Sequence, residues 1–491
     1  MNFNQKSCFA AFIICEFLMG IVYAQAPKKL IVSDFLKAVY GNLRVSAIQY
    51  DGTKELNKFE FRKNILRTDS AQWALNLTAK QGADRQALDI TADITLKEGQ
   101  ASATALAVSF DFSRWSRKNY VLVPASIYNG NRYHAIGNEY SPPYTKDMYY
   151  NPKVPLTISN NPRLSIELNK ASLVELKTGN AATPAMCFFS PGVKKGFILL
   201  TTQQTKFGNS GLTIAENAKQ DSCSFRISTP AVRKLATGFG DFHESGDKAH
   251  DWKAGDRIAI NMRLYVFDAS SIPDLLMKFT QVRKDITGPN YPRNILPMSK
   301  ELAVETAICS NNFIHVPAGS YYKPENNDDF QLGWVSGMMN TYPMLVLNNP
   351  KERQRVAEEI DFVVNKLQGK SGFFYGGIEA NGNLRFEKMH PDFPQGQAMV
   401  RKNSDALLWL MKHLMLLKAQ GFGNIIKPEW ESAAEKLADA FTTTWKKYGE
   451  FGQYILPKTG QIAVFNSTAG AIAPGGLAIA ASYFNHPEWL R

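Results

Sequence analysis

The chain has 491 residues, 44% of them apolar and 20% charged, and Lys plus Arg exceed Asp plus Glu by 56 to 44 for a formal charge of +12. That length allows two or three domains with at least one large core, and the composition excludes a disordered or collagen-like chain. The basic residues fall in short scattered groups (Arg114 to Lys118, Lys194-Lys195, Lys446-Lys447) rather than in a basic helix, which excludes a nucleic-acid partner and favours an anionic polymer such as a uronic-acid glycan.

Residues 1–24 read as a signal peptide. Lys6 supplies the positive start, Cys8 to Val22 is apolar apart from Glu16, and Val22-Tyr23-Ala24 is a cleavage site before Gln25. Phe12-Ile13-Ile14 before Cys15 are not the small residues of a lipoprotein processing site, so no lipid anchor is expected. No later run reaches the ~18 apolar residues of a membrane span. The expected product is exported, periplasmic or secreted. Cleavage would leave Cys187, Cys223 and Cys309, with a pairing of the first two left open. No CxxC pair or Cys/His cluster suggests structural zinc.

From 25 to 270 the apolar period is two. Leu88, Ile90, Ala92, Ile94 and Leu96 alternate with polar residues, and so do Leu106, Val108, Phe110 and Phe112, then Ile258, Ile260, Met262, Leu264 and Val266. Glu98-Gly99-Gln100 and Lys253-Ala254-Gly255-Asp256 punctuate these runs. The pattern predicts an all-β antiparallel sandwich. Within it, Tyr128-Asn129-Gly130-Asn131-Arg132-Tyr133 and Gly137-Asn138-Glu139-Tyr140 look like a loop reaching over a neighbouring cleft.

Residues 271–297 read as a linker helix and crossover. Ser271 and Asp274 have capping-box spacing, Leu275, Phe279, Val282 and Ile286 recur at helical intervals, and Gly288-Pro289 stops the run. From 298 to 491 the period is helical. Helices are predicted over 299–311, 330–347 (Trp334, Met338, Tyr342 and Leu345 on one face), from Asn349-Pro350 onward, 403–420, 428–447 with Trp430, Leu437, Phe441 and Trp445 inward, and from Pro474. Two aromatic, Gly-rich loops, Ser371 to Gly377 and Phe451 to Leu456, are alike and about 80 residues apart, which suggests stacked helical hairpins.

A β domain, a linker helix and such hairpins resemble the six-hairpin glycosidase-like superfamily. Phe330-Gln331-Leu332-Gly333-Trp334-Val335-Ser336-Gly337, Asn403-Ser404-Asp405-Ala406-Leu407-Leu408-Trp409 and Gly475-Gly476-Leu477-Ala478-Ile479-Ala480 carry the resemblance. It implies a supersandwich-like β domain followed by an (α/α)6 toroid, here with about six of its twelve helices, so the toroid is expected to be partial.

It also implies a glycan substrate and two carboxyl groups across the scissile bond, about 5–5.5 Å apart for retention or 6.5–9.5 Å for inversion. Asp329 before the second helix, Glu379 between glycines and Asp405 at the start of the most apolar helix are the candidates. Trp334 and Tyr375 would stack sugar rings, and His390 and Arg401 would donate to hydroxyl or carboxylate groups. Arg132 and Glu139 would do the same from the β domain. No cofactor is expected, although a structural calcium is compatible with the reading. Two alternatives remain: a polysaccharide lyase drawing on Tyr375, His390 and Arg401, and a glycan-binding protein without catalysis. No GxSxG, HExxH, P-loop or dinucleotide fingerprint is present.

Overall fold

The structure is a computed structural model and describes residues 28–82, 84–133, 144–154, 161–237, 242–291, 295–324, 327–333, 336–387 and 396–490. Residues 1–24, expected to be a signal peptide, and Glu139, Trp334 and His390 lie outside the described residues. The chain divides into two compact units, one of Met1–Tyr133 with Asn160–Asn290 and one of His134–Ser159 with Tyr291–Arg491. A β-rich unit and a helical unit are what the two periodicities predicted. No described helix is long and apolar enough to cross a membrane.

The β-rich unit is organised by one strand, Ala87–Phe112. Its first half pairs antiparallel with Ala71–Gln81 and Arg257–Asp268, and its second half with Gly41–Asp51 and Cys223–Thr229. The expected break at Glu98-Gly99-Gln100 is instead a bend within this strand. Gly99 sits at φ +77°, and a Cβ there would stand 2.0 Å from the Ser70 carbonyl, so only glycine lets the chains approach this closely. The bend lets both halves feed one core. Leu88, Ile90 and Ile94 from the first half join Val108, Phe110 and Phe112 from the second. At its centre Phe112 lies 4.9–6.0 Å from the rings of Trp115, Phe188, Phe197 and Phe225. Each such buried side chain contributes about 1.5–3 kcal/mol of transfer free energy.

The helix α1 (Lys28–Lys37) was not expected in an all-β region. It forms because Val32 and Leu36, one turn apart, bury against that core. At the other end of the unit, α2 (Ile272–Val282) has the anticipated capping box, with Ser271 Oγ accepting from the Asp274 amide. None of Cys187, Cys223 and Cys309 is in a disulfide, so the pairing left open between Cys187 and Cys223 is not formed. Those two belong to different hydrophobic clusters.

In the helical unit, α3 (Met298–Asn311), α4 (Met338–Val346), α5 (Pro350–Lys366), α6 (Val400–Ala419), α7 (Pro428–Tyr448) and α8 (Ala473–Phe484) follow in order. Asn349 caps α5 as its sequence predicts. Helix α6 packs against α4 and α8, and α5 packs against α7, which makes two layers. The second helix is shorter than expected. Phe330–Gln331 is a strand, and Gly333 and Gly337, both at positive φ (66° and 67°), delay the helix to Met338. Trp445, expected inward, is 47% exposed, its ring 5.2 Å from that of Phe451.

Two small antiparallel sheets join the loops. One pairs Phe330–Gln331 with Gly377–Ile378 and Leu384–Arg385, and the other pairs Ala398–Met399 with Tyr454–Ile455 and Ile462–Val464. The first of the two similar loops is tied to the residue just after the second, since the Ser371 amide and hydroxyl both donate to the Pro457 carbonyl.

Candidate active site

The site is built around the amino end of α6. Its first turn carries Arg401 and Lys402 and no acid, although a helix N-terminus already has about half a positive charge. Each cation is answered by a carboxylate. Arg401 Nε donates to both Asp405 oxygens at 3.2 and 3.1 Å, and Asp405 is only 1% exposed. Because α6 begins at Val400, Asp405 lies in its second turn rather than in the expected first. Lys402 Nζ lies 2.6 Å from Glu387 Oε1, and both side chains are largely covered.

Bare backbone closes over these pairs. A Cβ on Gly333 would stand 2.8 Å from Asp405 Cβ, and one on Gly376 would stand 2.9 Å from Glu387 Oε1. Asn403, fully buried, clamps the 371–377 loop to α6. Its Oδ1 accepts from the Phe374 amide at 2.7 Å and its Nδ2 donates to the Phe374 carbonyl at 3.0 Å. The ring of Tyr375 leaves this loop half-buried, 5.9 Å from that of Phe386.

Asp329 and Glu379 stand on the first small sheet. The register Phe330↔Ile378 makes them neighbours one residue beyond the paired stretch. Asp329 Oδ1 accepts from the Ala380 amide at 3.2 Å, and Oδ2 accepts from Arg385 Nη1 at 3.2 Å. Glu379 accepts from Asn381 Nδ2 at 3.1 Å. Both carboxylates are partly exposed, unlike Asp405. Nearby, burial first and then Asp329 and Asp328 push the Tyr321 phenol up to about 12.

The structure thus brings Asp329 to Glu379, and Arg401 to Asp405. Arg132 belongs to the β-rich unit. There its Nη2 pairs with Glu216 Oε1 and its Nη1 donates to the Ser165 carbonyl, with the side chain only 7% exposed. Sequence reasoning missed Glu387 and Lys402. The available signal was a lysine one residue before the predicted helix 403–420, the most apolar of the chain, where an unpaired charge would be costly. It also missed Arg385, whose guanidinium holds Asp329 across the hairpin. Among the described residues no group of three or more His, Cys, Asp or Glu is placed to hold a metal ion.

No protein family and no curated protein matches the sequence. Among solved structures, a D-mannose isomerase is similar over 41% of this chain and 51% of its own, at 16% identity and a TM-score of 0.29. The chain therefore spans about half the length of that protein. A galactose mutarotase-like protein from Clostridium acetobutylicum is similar over 47% of this chain and 80% of its own, at 10% identity and a TM-score of 0.25. One from Lactobacillus casei ATCC 334 gives 46%, 85%, 12% and 0.26 for the same quantities. All three scores lie below the level that marks a shared fold.

Proposed function

We propose that the chain is an exported glycoside hydrolase acting on a polysaccharide or oligosaccharide, with Asp329 and Glu379 as its pair of catalytic carboxyl groups. The observation that carries this reading is their position: two partly exposed carboxylates, neighbours in an antiparallel register, beside the Arg385 guanidinium. Side chains directly opposite in such a register have Cβ atoms about 4.5–5.5 Å apart, near enough for their two carboxyl groups to flank one glycosidic bond. One carboxyl group would protonate the glycosidic oxygen while the other attacks the anomeric carbon. Water would then release the sugar, with the first group now acting as base. Tyr375 offers the stacking surface, and Asp405 positions Arg401.

The two helix layers support reading the helical unit as part of an (α/α)6 toroid, and the shared core of the bent sheet supports a supersandwich. Arg401, the cation a uronate lyase would use, is engaged by Asp405, which weighs against the lyase alternative.

The test is turnover of a glycan panel by wild type, Asp329→Asn, Glu379→Gln and Asp405→Asn. The first two substitutions are expected to lower kcat by about 10²–10⁴-fold, and early product should keep the substrate's anomeric configuration by NMR. Full activity in both variants would overturn the pair, and an unsaturated, ultraviolet-absorbing product would overturn hydrolysis. For export, the mature protein should begin at Gln25 on N-terminal sequencing; retention of Met1 would overturn that part.

A further inference from the structure

The small sheet that carries Asp329 and Glu379 has two unlike faces. Its register makes two rows, Phe330–Ile378–Leu384 and Gln331–Gly377–Arg385. Side chains alternate along each strand, so the first row turns into the apolar core of the helical unit, where Phe330 and Ile378 are buried and Leu384 packs against them. The second row faces the other way, together with Asp329 and Glu379. Its middle position is glycine, so Gln331 and Arg385 flank a floor of bare backbone. The Leu332 amide donates to the Gly376 carbonyl at 3.1 Å and carries the pairing on toward α6. Gly333, which closes on Asp405, is four residues from Asp329, up to about 13 Å of extended chain. This polar trough is longer than one sugar ring, with Asp329 and Glu379 at one end and Arg401 at the other.

The two ends differ in charge. At the first, two carboxylates meet one guanidinium, that of Arg385. At the second, Arg401 and Lys402 are each matched by one carboxylate, and the positive end of the α6 dipole is added. Arg401 has donors to spare. Only its Nε serves Asp405, and among the described residues Nη1 and Nη2 have no hydrogen-bond partner. Its side chain is 40% exposed and that of Asp405 1%. An ordinary surface arginine is mobile, whereas this one is anchored at Nε by a buried carboxylate. The remaining fork of N–H donors matches a carboxylate, which accepts two parallel bonds where a hydroxyl group accepts one.

We propose that Arg401 binds the carboxylate of a uronic-acid residue lying in this trough at least one sugar unit from the cleaved bond. The substrate is then an acidic oligosaccharide or polysaccharide rather than a simple glycoside. Asp405 already balances the charge of Arg401, so the contact holds a carboxylate without polarising it for elimination. The excess of Lys and Arg over Asp and Glu, 56 to 44, attracts such a polyanion from a distance. The position of the cleaved bond rests on the reading of Asp329 and Glu379 as the catalytic pair; the binding of the carboxylate does not.

The experiment titrates the full chain by calorimetry with the tetrasaccharides of galacturonate, glucuronate and mannuronate, and with the methyl ester of each. Wild type and the double variant Asp329→Asn/Glu379→Gln are measured in parallel, with cleavage followed separately. At least one acid is expected to bind wild type about tenfold or more tighter than its ester. Arg401→Gln should bring that ratio to about one, and Arg401→Lys, which keeps the charge and loses the fork, should fall between. The double variant should still prefer the acid but not cleave it. The proposal is overturned if no acidic tetrasaccharide binds wild type, if the ester binds as tightly, or if a folded Arg401→Gln keeps the preference. Should Arg401→Gln fail to fold, an undiminished preference in Arg401→Lys overturns it instead. Arg401-dependent preference with full cleavage by the double variant would uphold the uronate site and overturn the catalytic pair. Cleavage lost in the double variant, with no preference for acid over ester in wild type, would do the reverse.

Discussion

Two fully buried ionisable residues in the helical unit set opposite pH dependences. Glu359 Oε2 accepts from the Tyr322 amide at 2.8 Å, while its other oxygen has no partner. Burial pushes its carboxyl from the ordinary 4.5 up to about 8. Between those values the folded state holds a proton that the unfolded state has lost, so this contribution to stability is complete below pH 4.5 and disappears as pH rises through about 8. His413 behaves in the opposite sense. Its Nδ1–H donates to the Trp409 carbonyl at 2.6 Å, which leaves Nε2 to accept from the Thr341 hydroxyl at 3.0 Å. Burial lowers its pKa from 6.5 to about 4, so stability is lost as pH falls through that interval. Urea denaturation across pH should therefore show a flatter alkaline limb in Glu359→Gln and a flatter acid limb in His413→Asn. Limbs unchanged from wild type would contradict the assignment.

At the scale of elements, the amino end of α6 depends on close approach and on one amide. Asn403→Ala would strand the Phe374 N–H and C=O inside the protein and should cost about 3 kcal/mol by denaturant midpoint. Gly333→Ala combines a positive φ with a Cβ 2.8 Å from Asp405 Cβ, so it should displace the loop and reduce turnover without touching Asp329 or Glu379. An active, equally stable Gly333→Ala protein would show that the loop is free to shift. The helices themselves were legible: Asn349-Pro350 marked the start of α5 and Ser271 with Asp274 marked that of α2, because caps act through neighbouring residues. The strand at Phe330–Gln331 was not legible. Its partner, Gly377–Ile378, is 47 residues away, and a two-residue strand has no period of its own.

At the scale of the whole molecule, a segment within the β-rich part of the sequence belongs to the helical unit. Tyr144 packs edge-on against Tyr454 at 5.4 Å, and Asn466 Nδ2 donates to the carbonyls of Pro152 and Val154. Tyr144, Met148 and Tyr149 share one apolar cluster with Tyr454, Ala463 and Val464. Tyr144→Ala should therefore destabilise the helical unit by about 3 kcal/mol, read as earlier loss of near-ultraviolet signal and earlier proteolysis of the α6–α8 region. A fragment starting at Tyr291 lacks this cover and should be less stable than the same region in the full chain. If the fragment is equally stable, the insertion contributes nothing to the fold.

The sequence alone determined that a strand-forming stretch is followed by a helix-forming one, and where most helices start. Periods of two and of 3.6, caps and glycine stops are properties of residues near one another in the chain. It also marked Asp329, Glu379, Asp405 and Arg401 as chemically suitable groups. Only the tertiary structure decided which of them meet. It set Asp329 beside Glu379, 50 residues further along, enclosed Asp405 with Arg401, and drew Arg132 into a buried pair with Glu216. Pairings of that kind depend on which faces bury together, and no local pattern encodes the partner.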